Sequence, residues 1–114
     1  MHRALRLTID GSALVHNWRW LQERAGVPAG AAIKADGYGL GARETMQALY
    51  EAGCRDFFVS TWAEADELGE AGEGANLIVL HGVGPDDVGT ALASTAWRSR
   101  LCTAIWPAPT RTKR

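Results

Sequence analysis

A chain of 114 residues with 46% hydrophobic and 22% charged side chains has the makeup of one ordinary globular domain, which excludes a wholly disordered polymer. Its net charge of −1 hides a division: residues 1–87 carry seven basic and thirteen acidic side chains, a net of −6, whereas residues 88–114 carry five basic and no acidic ones, a net of +5. Cys54 and Cys102 are the only cysteines and form no metal-ligand spacing, so neither a zinc site nor a disulfide framework is implied.

Met1 to Leu7 starts with positive charge, but Thr8, Asp10 and Gly11 interrupt any apolar run long enough for a signal peptide. No stretch reaches the roughly 20 apolar residues of a membrane-spanning helix. The expectation is a cytoplasmic protein without a membrane partner. Leu5, Leu7 and Ile9 alternate with polar residues and predict a short strand before Asp10. Asp10 or Ser12 can then cap a helix from about Ser12 to Ala25, in which Leu14, Trp18, Leu21 and Ala25 recur at helical spacing before the stop at Gly26.

Ala31 to Ala35 reads as the next strand, bounded by Gly30 and Gly37. Ala42 to Ala52 predicts a helix with Thr45, Met46, Leu49 and Tyr50 on one face. Phe57 to Ser60 is a strand of aromatic and β-branched residues. Thr61 and Glu64 are spaced as a capping box, which opens a helix to about Ala71. Asn76 to Leu80 is a further buried-type strand, and Pro85 suits the first position of a helix through about Leu92. Trp18, Trp20 and Trp62 are expected to pack helices onto the sheet.

Apolar strands alternating with amphipathic helices require a parallel sheet with right-handed crossovers, so the fold class is α/β. The spacing also fits part of a (β/α)₈ TIM-type barrel, which needs about 250 residues when whole. Beyond Ala93 neither strand nor helix period persists. The chain is thus divided into residues 1–93, a barrel portion, and residues 94–114, a basic irregular tail that is either disordered or the product of a shifted reading frame. A nucleic-acid role for the tail is set aside, because Trp97 and Trp106 stand nine residues apart with no recognised binding motif around them.

The chemistry concentrates in A-A-I-K-A-D-G-Y-G-L-G, residues 31–41, where an apolar strand ends in Lys34 and a glycine-rich turn follows. Strand ends at the carboxyl edge of a parallel sheet are where α/β proteins place their ligands. A primary amine there can condense with an aldehyde, and the turn's N–H groups offer a cradle for a phosphate. A ligand with both groups is pyridoxal phosphate. Gly37 to Ala42 also satisfies G-x-G-x-x-A, a weak dinucleotide fingerprint, but Ser60 and Thr61 stand where its acidic residue belongs. His16 reads as a packing or capping residue, and His81 as a solvated loop residue outside the site.

The segment K-A-D-G-Y-G-L-G resembles the cofactor-lysine motif of bacterial alanine racemases, approximately K-A-[DN]-A-Y-G-H-G. The likeness extends to Ile9-Asp10, Ala13-Leu14 and His16 to Arg19, to Phe58 to Ala65 against F-x-V-[AS]-x-x-x-E-A, and to Leu77 to Gly82 against I-L-V-L-x-G. It covers about residues 5 to 90. The resemblance implies a pyridoxal-phosphate-dependent isomerase that interconverts L- and D-alanine. It implies that Lys34 forms the Schiff base and serves as one of two bases, that Tyr38 bonds the cofactor's phosphate region, and that Leu80 lies against the cofactor ring. It further implies a homodimer in which a second, β-rich domain brings a tyrosine as the other base.

Three positions depart from the family pattern: Gly37 replaces alanine, Leu40 replaces histidine, and Gly69 replaces an arginine. The expectation is a fragment of low or no activity, with a non-catalytic cofactor-binding protein or an inactive remnant as alternatives. An open piece of parallel sheet is also expected to be marginally stable or to aggregate.

Overall fold

The structure, a computed structural model, describes residues 4–93. The predicted tail at 94–114 lies outside the described residues. Helix α1 spans Gly11–Ala25, strand β1 Ala31–Ala32, a short helical segment α2 Lys34–Tyr38, helix α3 Ala42–Ala52, strand β2 Asp56–Val59, helix α4 Trp62–Leu68, and strand β3 Asn76–Val79. A 3₁₀ turn at Pro85–Asp87 then leads into α5, Val88–Ala93.

The three strands form one parallel sheet in the order β1-β2-β3. Phe57 lies between Ala31 and Leu77, and Phe58 between Ala32 and Ile78. Each strand is joined to its neighbour by a helix, as a parallel ladder requires. Alternation along the strands then sorts the side chains into two faces. Ile33, Phe57, Val59, Leu77 and Val79 are buried and share one cluster with Trp18, Met46, Leu49, Trp62, Ala65 and Leu68 of the helices. Phe58 and Ile78, on the other face, are only half-buried and stand outside that cluster. The helices cover a single face, which is the layout of a (β/α) barrel and not of a doubly wound sheet.

Local chemistry explains most of the element boundaries. Asp10 caps α1, its Oδ1 accepting from the N–H of Ser12 at 3.0 Å and of Ala13 at 3.1 Å. Thr61 and Glu64 form the expected capping box at the start of α4. That helix ends at Leu68 and not near Ala71, because Gly69 adopts φ 71° and ψ −134°, a region closed to side-chain-bearing residues. Two indoles tie helices to loops: Trp18 Nε1 donates to the Ala29 carbonyl at 3.0 Å, and Trp62 Nε1 to the Gly82 carbonyl at 2.9 Å.

Several expectations are corrected. Residues 4–10 form no strand, and Leu5, Leu7 and Ile9 are exposed. Alternation supplies a face, but no neighbouring strand among the described residues offers that segment a ladder. On α1 the covered face is Leu14, Val15 and Trp18, while Leu21 and Ala25 are exposed. Trp20 is 52% exposed, with the Arg24 guanidinium 5.2 Å from its ring centre. His16 is likewise exposed and packs no core. β1 stops at Ala32 and not Ala35, because the backbone turns left-handed directly after Lys34.

Candidate functional site

Parallel strands bring Lys34, Ser60 and Leu80 to the same edge. Ile33 N–H donates to the Phe58 carbonyl at 2.9 Å, and Leu80 N–H to the Val59 carbonyl at 2.9 Å, so both ladders continue one residue past their strands. Leu80 follows buried Val79 and is 40% exposed on the open face. Lys34, half-buried, follows buried Ile33 at this same edge of the sheet. The edge therefore joins an amine to an apolar surface.

The turn after Lys34 is unusual in its backbone. Ala35, Asp36, Gly37 and Tyr38 have φ of 53°, 52°, 64° and 55°, making one turn of left-handed helix. For L-residues that hand costs about 1–2 kcal/mol each. Hydrogen bonds hold the turn regardless: Gly37 N–H donates to the Ile33 carbonyl at 2.8 Å, Gly39 N–H to the Ala35 carbonyl at 3.2 Å, and Gly41 N–H to the Asp36 carbonyl at 2.9 Å. Asp36 Oδ1 also accepts from Ala42 N–H at 2.9 Å and so starts α3. Gly37 is buried, and a Cβ there would stand 3.2 Å from Thr45 Oγ1 and 3.3 Å from Ala42 Cα.

These bonds overturn one expectation. The N–H groups of Gly37, Gly39, Leu40, Gly41 and Ala42 all donate within the chain, so the glycine turn is not an open backbone cradle for an anion. The same commitments remove the dinucleotide reading of G-x-G-x-x-A. What the turn presents is Tyr38, whose side chain is 64% exposed. The other tyrosine, Tyr50, is tied by its hydroxyl to the Glu73 carbonyl at 2.9 Å, in the loop leading into β3 and away from this edge.

Glu64 was visible in the sequence as half of a capping box and as the glutamate of the F-x-V-[AS]-x-x-x-E-A likeness, and the structure adds that it belongs to this edge. Its Oε1 accepts from Ala35 N–H at 3.0 Å, and its Oε2 from Ser60 N–H at 2.6 Å and Thr61 N–H at 3.4 Å. Burial raises its pKa, but the three N–H donors together with the charge of nearby His81 outweigh that effect and hold the carboxyl below its ordinary range. A cleft of about 430 Å³ opens beside it, lined by Ile33, Asp36, Arg43, Val59, Glu64 and Leu68 among others. Among the described residues no group of three or more His, Cys, Asp or Glu could hold a metal ion. No helix there is long and apolar enough to cross a membrane.

The chain is similar in sequence to "Alanine racemase, biosynthetic" of Agrobacterium fabrum, 46% identical over 80 residues that make up 69% of this chain and 20% of that protein. An alanine racemase of Acidiphilium cryptum is 44% identical over 87 residues, or 76% of this chain and 24% of the relative. In three dimensions it is similar to the alanine racemase from Bartonella henselae with covalently bound pyridoxal phosphate, with a TM-score of 0.66 and 36% identity over 73% of this chain and 24% of that one. The alanine racemase from E. faecalis matches with a TM-score of 0.64 and 33% identity, over 75% of this chain and 24% of the other. The chain thus spans about a fifth to a quarter of the length of these relatives. The family model described as alanine racemase, N-terminal domain, matches residues 9–99, most of the chain, and the chain belongs to that family.

Proposed function

We propose that residues 1–93 are the cofactor-lysine portion of a pyridoxal-phosphate-dependent alanine racemase, an isomerase of L- and D-alanine. The observation that carries this reading is Lys34 at the carboxyl edge of the first strand, the edge of the sheet at which Leu80 also stands. The donor set suits the cofactor. Lys34 supplies the amine, Tyr38 supplies an exposed hydroxyl for the phosphate region, and Leu80 supplies an apolar surface for the ring. Bound pyridoxal phosphate brings an aldehyde that condenses with an amine, with loss of water, and a ring that stabilises negative charge at a substrate's α-carbon.

This chain's own residues then have defined tasks. Lys34 holds the cofactor and exchanges a proton at the alanine α-carbon as one base. Racemisation needs a second base on the opposite face of that carbon, and Tyr50 is engaged elsewhere. The chain by itself accordingly binds the cofactor but turns alanine over slowly or not at all, until a tyrosine from a further domain or a partner subunit completes the site.

The test is to add pyridoxal phosphate to the 114-residue chain, record the visible absorbance band and reduce it with borohydride. The expected outcome is a stable adduct mapped to Lys34 and its loss in Lys34→Ala. A band of equal strength in Lys34→Ala would refute the assignment. Alanine racemisation assayed alongside separates a binder from a working enzyme.

A further inference from the structure

We infer that Glu64 is a positioning residue for Lys34, a carboxylate clamp that fixes the end of β1 against the end of β2. The inference rests on the cofactor reading of Lys34. A capping box explains only part of what Glu64 does. In such a box the acidic residue returns to the N–H at the helix start, and Glu64 meets that need through Oε2, on Thr61 N–H at 3.4 Å and more closely on Ser60 N–H at 2.6 Å. Its other oxygen leaves the helix altogether and accepts from Ala35 N–H at 3.0 Å, 29 residues away.

Ala35 is the residue bonded directly to Lys34, and it begins the left-handed turn. A non-glycine residue at φ 53° tends to relax unless its surroundings hold it, and the Ala35 N–H has its partner in Glu64. The bond thus fixes the peptide unit between Lys34 and Ala35, from which the lysine side chain departs. Bonds from N–H groups to an ionised carboxylate are about twice as strong as neutral ones, so a charge at this point holds the unit more firmly than an amide oxygen would. Glu64 is ionised at neutral pH as any glutamate is, and its N–H donors extend that charged state to lower pH.

Three variants test the clamp against a purely capping role. Glu64→Gln removes the charge, and Glu64→Asp keeps the charge but withdraws it from Ala35 by one methylene. Thr61→Ala removes the other half of the capping box, the bond from Glu64 N–H to the Thr61 hydroxyl, and leaves the three bonds of the Glu64 carboxylate in place. Two quantities are read on the full chain, at a temperature where circular dichroism shows every variant folded: the pyridoxal phosphate concentration giving half of the borohydride-trapped adduct on Lys34, and the hydrogen-exchange rate of the Ala35 amide. The expected result is an increase of about tenfold in that concentration for both Glu64 variants, with faster exchange at Ala35, and a change within about twofold for Thr61→Ala. If Thr61→Ala shifts both quantities as far as the Glu64 variants do, Glu64 is a helix cap only and the inference is overturned. If the unaltered chain forms no adduct, the cofactor reading fails, and Ala35 exchange alone decides the clamp: faster in the Glu64 variants but not in Thr61→Ala supports it, and equal in all chains overturns it.

Discussion

Gly37 shows how one residue sets the turn beside the proposed cofactor lysine. It is buried at φ 64°, and an added methyl would meet Thr45 Oγ1 and the start of α3 at 3.2–3.3 Å. Gly37→Ala is therefore expected to lower stability by about 1–2 kcal/mol, the cost of one left-handed L-residue, with the loss read as a lower urea midpoint at unchanged slope. Lys34 stood out in the sequence as a strand end followed by a glycine turn, whereas Tyr38 and Leu80 entered only through the family resemblance. Glu64 was not legible as a contact of that turn. Its partner Ala35 is 29 positions distant, and only pairing between β1 and β2 brings the two together.

Among the elements, α4 illustrates how a short helix is defined by its ends. It has seven residues, too few to persist alone, and depends on the Thr61–Glu64 box at one end and on Trp62, Ala65 and Leu68 in the core. Thr61→Ala should cost about 1 kcal/mol, seen as a lower thermal midpoint. Capping boxes, glycine stops and helical spacing made α1, α3 and α4 readable within a few residues. The strands were less so, since a strand's existence is decided by its neighbour. Leu5, Leu7 and Ile9 alternate as well as any strand, yet no ladder forms there among the described residues. Trp20 misled for a related reason, because an aromatic in a helix says nothing about which side of the helix is covered.

For the described molecule as a whole, protons set the limits of stability. Asp10 and Glu64 have lowered pKa values, Asp10 through the Ser12 hydroxyl and the Ala13 and Ser12 N–H groups, Glu64 through its N–H donors and His81 against the effect of burial. Their contributions are present above the ordinary values of 3.8 and 4.5 and are lost as pH falls through the lower folded values. Cys54 behaves in the opposite way: burial raises its pKa above the ordinary 9.0, so its contribution is present below that value and is lost as pH rises through the folded one. Urea midpoints measured across pH should form a plateau at neutral pH that falls on both sides. Glu64→Gln should flatten the acid side, and Cys54→Ser the alkaline side.

The first turn of α4 carries both stitches across the sheet's carboxyl edge, Glu64 binding the end of β1 to that of β2, and Trp62 binding β2's helix to the loop after β3. A single local opening of that turn would undo both side-chain stitches together and leave the strand ends held by backbone bonds alone. The carboxyl edge would then loosen as a unit before the sheet itself separates, so the amide of Ala35 and the indole N–H of Trp62 should exchange at matching rates.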